Sequence, residues 1–192
     1  MRHLFFAAAL MAIGTTTTAS AQAWPKEPTA VFGIPIGQEI GAGTFPTCPK
    51  RSYATGYESP TSPCLEPGNR SMMFLQGINI PGVASSATIY LDDGMVRSVD
   101  LETRHESYGQ LKAMLVERYG SPTKVDREEV KNNAGAAFPN EISRWVGATN
   151  SITLTERHGR VDRSRAVFEN NAASARALER FKAKLTEGAS KF

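Results

Sequence analysis

The chain has 192 residues, with 22 Lys and Arg against 19 Asp and Glu, a formal charge of +3, and 41% hydrophobic residues. That length suits one domain with a sizeable core. A charge balance this even supplies no steering field for nucleic acid, and beyond the N-terminus no stretch approaches the roughly 20 apolar residues of a membrane helix.

Residues 1–23 read as a signal peptide removed on export. Arg2 is the positive start, residues 4–13 are the apolar stretch, and Ala21-Gln22-Ala23 is a small-residue cleavage site before Trp24. The apolar stretch is too short to span a bilayer. No cysteine follows it, so no lipid anchor is expected. Its alanine-rich character points to a bacterial envelope, and hence to a periplasmic or secreted protein.

The remainder reads as a single α+β domain over 24–187 with a frayed tail at 188–192. Its first part, 24–85, is a Pro-rich looped region. Nine of the 11 prolines fall between Pro25 and Pro81, and each fixes φ and removes a backbone donor. Strand-like pieces are expected there only at 30–34 and 72–80. The two cysteines, Cys48 and Cys64, bracket TCPKRSYATGYESPTSPC. In an exported chain an even pair is expected to form a disulfide, which would stabilise by roughly 3 kcal/mol in the chain-entropy picture. Redox pairs favour C-x-x-C spacing and zinc wants four nearby ligands, so the pair reads as a staple. Tyr53 and Tyr57, inside the loop, either pack on the sheet behind them or offer amphipathic rings to a partner.

The second part, 86–170, holds hairpins and a central helix. Residues 87–91 alternate as a half-buried strand does. Asp93-Gly94 signals a tight hairpin, and 96–101 returns, with a bulge needed to turn Val99 and Leu101 inward. Ser107 and Gln110 fit a capping box ahead of a stripe of Tyr108, Leu111, Leu115 and Tyr119. Gly120 and Pro122 end that helix. Residues 123–130 suit a polar edge strand, 132–140 a loop, 142–146 a strand anchored by Trp145, and 151–157 and 160–168 a last hairpin around His158-Gly159. In the C-terminal helix, 171–187, Asn170 or Asn171 is the expected cap, and Ser174, Leu178, Phe181 and Leu185 form the expected inward stripe. The resulting fold is an antiparallel sheet of five to six strands with helices packed on one face.

Candidate chemistry is sparse. His105 and His158 lack a motif partner for nucleophilic catalysis, though they could form a metal pair if the fold joined them. Asp92, Asp93, Asp100 and Glu102 crowd one hairpin, where turn chemistry alone explains Asp93. No glycine motif cradles a nucleotide, and no cofactor is expected. Arg157, Arg160, Arg163 and Arg165 cluster around the last hairpin. They either guard a sheet edge or recognise an anionic group.

The pattern Phe32-Gly33-Ile34-Pro35-Ile36-Gly37, then Cys48 and Cys64, then Arg118-Tyr119-Gly120-Ser121-Pro122, and Trp145 before Ile152 and Leu154 resembles uncharacterised exported proteins of Gram-negative bacteria. The resemblance implies a periplasmic location and no activity. The expectation is a non-catalytic binding or accessory module of the cell envelope, whose partner is an envelope protein or an anionic envelope polymer. The alternatives are an inhibitor of a secreted hydrolase acting through the Tyr53–Tyr57 loop, or an unrecognised hydrolase using His105 or His158.

Overall fold

A computed structural model describes residues 24–49 and 60–190. The segment 1–23 and the tyrosines Tyr53 and Tyr57 lie outside the described residues. A short hairpin joins β1 (Ala30–Val31) to β2 (Ile34–Pro35). Eight further strands form one antiparallel sheet: β3 (Cys64–Asn69), β4 (Met72–Ile80), β5 (Ala84–Asp92), β6 (Met95–Arg104), β7 (Lys124–Lys131), β8 (Ala137–Val146), β9 (Asn150–Thr155) and β10 (Arg163–Asn170). Their spatial order is β3-β4-β5-β6-β10-β9-β8-β7. Helix α1 (Tyr108–Tyr119) follows β6, and α2 (Asn171–Ala189) follows β10. The molecule is thus two four-strand meanders, each trailed by a helix, joined where β6 pairs with β10.

This architecture corrects the expected five-to-six-strand α+β fold. The protein is mostly β, with an eight-stranded sheet, and its helices do not share a face. Two stretches escaped the sequence reading because prolines disguise them. Pro67 lies in β3, the outer strand, where a missing N–H removes no ladder bond on the free side. Pro139 lies in the part of β8 that pairs only with β7, since pairing with β9 begins at Ile142. The expected loop at 132–140 is therefore strand from Ala137 onward.

Register assigns the two faces. Met73, Ile89, Val99, Phe168, Ile152 and Trp145 stand side by side across six strands. Of these, Ile89, Val99, Ile152 and Trp145 are fully buried. A bulge between Tyr90 and Leu91 turns Val96 inward beside them. This face is covered by α1, which buries Leu111, Leu115 and Tyr119 as its spacing demands. Trp145 Nε1 donates to the Gly120 carbonyl at 2.7 Å, locking the end of α1 to the sheet. The Pro-rich segment straps over the same face and buries Trp24, Val31, Ile34 and Ile36. Trp24 meets Tyr119 edge-on, with centroids 6.0 Å apart, and donates to its carbonyl at 2.9 Å. Burying each such aliphatic or aromatic side chain stabilises by about 1.5–3 kcal/mol.

Glu27 fastens this strap. Its carboxylate accepts from the backbone N–H groups of Ala148, Thr149 and Asn150, the whole β8–β9 turn. Gly147 makes room, because a Cβ there would fall on the Glu27 carboxyl group.

The capping box takes another form. Neither side chain caps α1. The Ser107 hydroxyl donates to the Gly82 carbonyl and Gln110 Nε2 to the Pro81 carbonyl, so both hold the β4–β5 turn against the helix. Asn170 does cap α2, accepting from Ala173 N at 3.0 Å. The predicted stripe of α2 does not pack inward: Leu178, Phe181 and Leu185 are exposed.

Candidate functional site

The second face of the sheet has a different chemistry. Glu66, Phe74, Thr88, Asp100, Val167, Thr153, Arg144 and Lys124 form one continuous row across all eight strands. All but Asp100 keep contact with solvent. Residues two apart along a strand share a face, so the neighbouring rows belong here too. One contains Cys64, Gln76 and Ser86 on one flank, and Glu102, Arg165, Thr155 and Ile142 on the other. The next contains Met72, Tyr90, Ser98, Glu169 and Ser151. The face is thus built of Ser, Thr and both signs of charge, with Phe74 and Tyr90 as its aromatic members.

Cys48 and Cys64 form a disulfide, with Cα atoms 4.9 Å apart. Residues 46–48 lie along the outer edge of β3: Cys48 N donates to Leu65 O at 2.9 Å, and Leu65 N to Pro46 O at 2.8 Å. The returning leg of the loop crosses β4 at Gly77, whose φ is +72° and whose missing Cβ admits the Ser62 carbonyl. The strand register places the anchor Cys64 on the same face as Arg165.

The four hairpin arginines are all engaged within the chain. Arg157 donates from Nε to Pro139 O at 2.9 Å and lies over the Phe138 ring at 5.2 Å. Arg160 is bidentate to Asp162, both bonds at 2.9 Å. Arg163 stands 3.8 Å from Glu102. Arg165 pairs with Asp100 and donates to His158 Nε2 at 2.9 Å. Arg163 and Arg165 lie on β10, which is central rather than an edge, and Arg157 and Arg160 lie in the β9–β10 connection, so edge protection does not explain them. Asp100 is buried, and Ser98 completes its shell by donating at 3.0 Å. An unpaired carboxylate there would be costly, and Arg165 removes that cost. Burial first, then the Arg165 cation, push the His158 pKa below its ordinary value. The ring is therefore held neutral, with Nε2 as acceptor.

His105 stands apart from that group. It bonds Glu156 at 2.9 Å, while the other oxygen of Glu156 accepts from Glu141 N at 3.1 Å. Glu141 is a partly buried hub that sequence reasoning missed. Tyr108 and Ser143 donate to it at 2.9 and 3.1 Å, Lys112 ion-pairs with it, and Arg127 reaches its second oxygen at 3.2 Å. The Lys112 bond leads in holding its carboxyl down to about 2, against the opposing effect of burial. Burial, then the Glu141 bond, push the Tyr108 hydroxyl well above the tyrosine range. Three of these donors converge on Oε1 from α1 and β8, so the hub anchors α1 to β8. Ser143 donates to Glu141 rather than to a histidine, so it has no base as a nucleophile requires. The i, i+4 placement of Tyr108 and Lys112 on α1 was the sequence signal for this hub.

Among the described residues, no group of three His, Cys, Asp or Glu side chains is placed to hold a metal ion, and no helix is long and apolar enough to cross a membrane. Comparison with protein-family models, with curated proteins and with solved structures finds no match to this chain.

Proposed function

We propose that the protein is an exported, non-catalytic binding module of the cell envelope. In this reading the open sheet face, with the Cys48–Cys64 disulfide at its β3 edge, receives a protein partner. The observation that carries it is the register: the anchor Cys64 and the strand pair Asp100–Arg165 share one face. That face is half-exposed and mixed in charge. Polar groups beside partly exposed aromatics suit a protein interface. Export and a periplasmic location belong to the same proposal. They are supported by the N-terminal pattern and by a disulfide, which persists in oxidising compartments.

Of the two expected partners, a protein is the better fit. An anionic polymer would need unpaired cations, and Arg157, Arg160, Arg163 and Arg165 are each engaged by a carboxylate, carbonyl or imidazole. The same geometry favours one second reading, an inhibitor whose loop enters a secreted hydrolase. The disulfide would preorganise that loop and lower the entropic cost of binding.

Capture from crosslinked periplasm tests the main reading. The wild-type chain should recover a reproducible partner that Thr153→Arg, in the middle of the face, fails to recover and Met114→Arg, on the exposed side of α1, still recovers. Equal recovery by both variants would reject this face. Loss of hydrolase inhibition on reducing the disulfide would select the inhibitor reading.

A further inference from the structure

Helix α2 docks by an unexpected side. Leu178, Phe181 and Leu185 are spaced to share one helix face, yet they are 52%, 59% and 56% exposed. The side toward the sheet is instead Ala173, which is buried, together with Arg176 and Arg180. The cause is Asp92, only 5% exposed at the end of β5. It ion-pairs with Arg180 and lies 3.6 Å from Arg176. These bonds hold α2 beside the β5–β6 turn and leave a cavity of 750 Å³ between helix and sheet.

The walls of this cavity are rich in cations: Arg70, Arg97, Arg180 and Lys184, with Tyr90 and Phe181 between them. Two carboxylates also line it. Asp92 ion-pairs with Arg180 and lies 3.6 Å from Arg176, with its buried Oδ2 making no hydrogen bond among the described residues, and Asp93 occupies the hairpin turn. Arg97 stacks over Tyr90 at 5.4 Å, and its Nε is buried without a hydrogen-bond partner among the described residues. Arg70 and Lys184 make no ion pair among the described residues. Buried donors without acceptors are costly, and guanidinium groups match the oxygens of a phosphate. Beside the cavity runs the apolar ridge of α2. A basic helix with such a ridge is built for the boundary between headgroups and acyl chains.

We propose that this end of the molecule docks on an anionic phospholipid surface. A phosphate headgroup enters the cavity beside Arg70, Arg97 and Lys184, and Leu178, Phe181 and Leu185 rest on the acyl boundary. A free phosphate ion would use the cations and have no need of the ridge. This site lies at the α2 end of the polar face and shares Tyr90 with it, but its cations stand apart from Thr88 and Thr153, so its test is independent of the protein-binding reading.

The test is co-sedimentation of the purified protein with vesicles of phosphatidylcholine alone or mixed in equal parts with phosphatidylglycerol. The protein should pellet with the mixed vesicles and remain in solution with phosphatidylcholine. Arg70→Gln with Lys184→Gln should weaken binding about tenfold or more, since each cation near an anionic surface contributes. Phe181→Ser should weaken it as well. All three residues are exposed, so unchanged thermal unfolding will separate lost binding from lost fold. Failure to pellet with mixed vesicles, equal pelleting with both, or undiminished binding by the double variant would overturn the proposal. Binding of inorganic phosphate unaffected by Phe181→Ser, with no vesicle binding, would assign the cavity to the free ion and overturn the lipid surface.

Discussion

Two glutamates hold layers of the molecule together, and neither stands out in the sequence. Glu27 reaches 121 to 123 residues along the chain to the β8–β9 turn, a closure that no local pattern announces. Glu27→Gln keeps the shape and loses the charge-assisted acceptors, which are worth about 1.5–3 kcal/mol each at most. Urea unfolding should show a loss of that order. Gly147→Ala should act in the same direction, because its methyl group would fall on the Asn150 carbonyl as well as on the Glu27 carboxyl group. Because both changes strike one contact, the double variant should be less destabilised than the sum. Glu141 sets an acid limit. Its folded pKa, about 2, lies below the ordinary carboxylate value, so the unfolded chain binds its proton first. The stability it confers is present above about pH 4.5 and is lost as pH falls toward 2. Glu141→Gln should be less stable at neutral pH and should show a flatter decline over that window, read from unfolding free energies at stepped pH. His158 adds a smaller slope of the same sign. Its depressed pKa means stability declines as pH falls below about 6.5.

At the scale of elements, local chemistry was legible wherever it was self-contained. The Asp93-Gly94 hairpin, the bulge that turns Val96 inward, the stripe of α1 and the Asn170 cap all depend on neighbours a few residues away. Asn170→Ala should cost about 1 kcal/mol, measurable as a lowered melting temperature and reduced helix signal. Gly120 has the positive φ that its position after α1 demands. The reading failed where a distant element competed for the same groups. Ser107 and Gln110 match a capping box, but the β4–β5 turn takes both side chains. The stripe of α2 matches a packed helix, but Asp92 attracts Arg176 and Arg180 and turns the helix. Gly77 records another distant approach, the loop's return leg across β4. Gly77→Ala places a methyl group on the Ser62 carbonyl at a φ of +72°. It should destabilise the protein, opposite to the gain of roughly 0.5–1 kcal/mol that alanine gives over glycine at an unstrained strand position, with the loss visible in thermal unfolding.

Across the whole molecule, the expectation of a small sheet under helices gave way to a wide sheet with one greasy and one polar face. Alternation in β5, β6, β9 and β10 was readable. The order that brings β10 to β6 was not, because periodicity carries no information about which strands pair. That order is what gathers Asp100, Arg165 and the row of Cys64 on one surface. It also explains why four arginines that look like a cationic patch in the sequence are each engaged within the fold. Cys48→Ser with Cys64→Ser should lose roughly 3 kcal/mol while leaving the core hydrogen-exchange pattern of β6 and β10 intact.

Photocrosslinking from chosen positions bears most directly on partner binding through the open face. A photoreactive side chain at Thr88 or Thr153 on that face, and at Met114 on α1 as the comparison, would be activated in the intact compartment of the cells that make the protein. The account predicts one discrete heterologous protein adduct from Thr88 and Thr153 and none from Met114. No adduct from either face position, or the same adduct from all three, would contradict it.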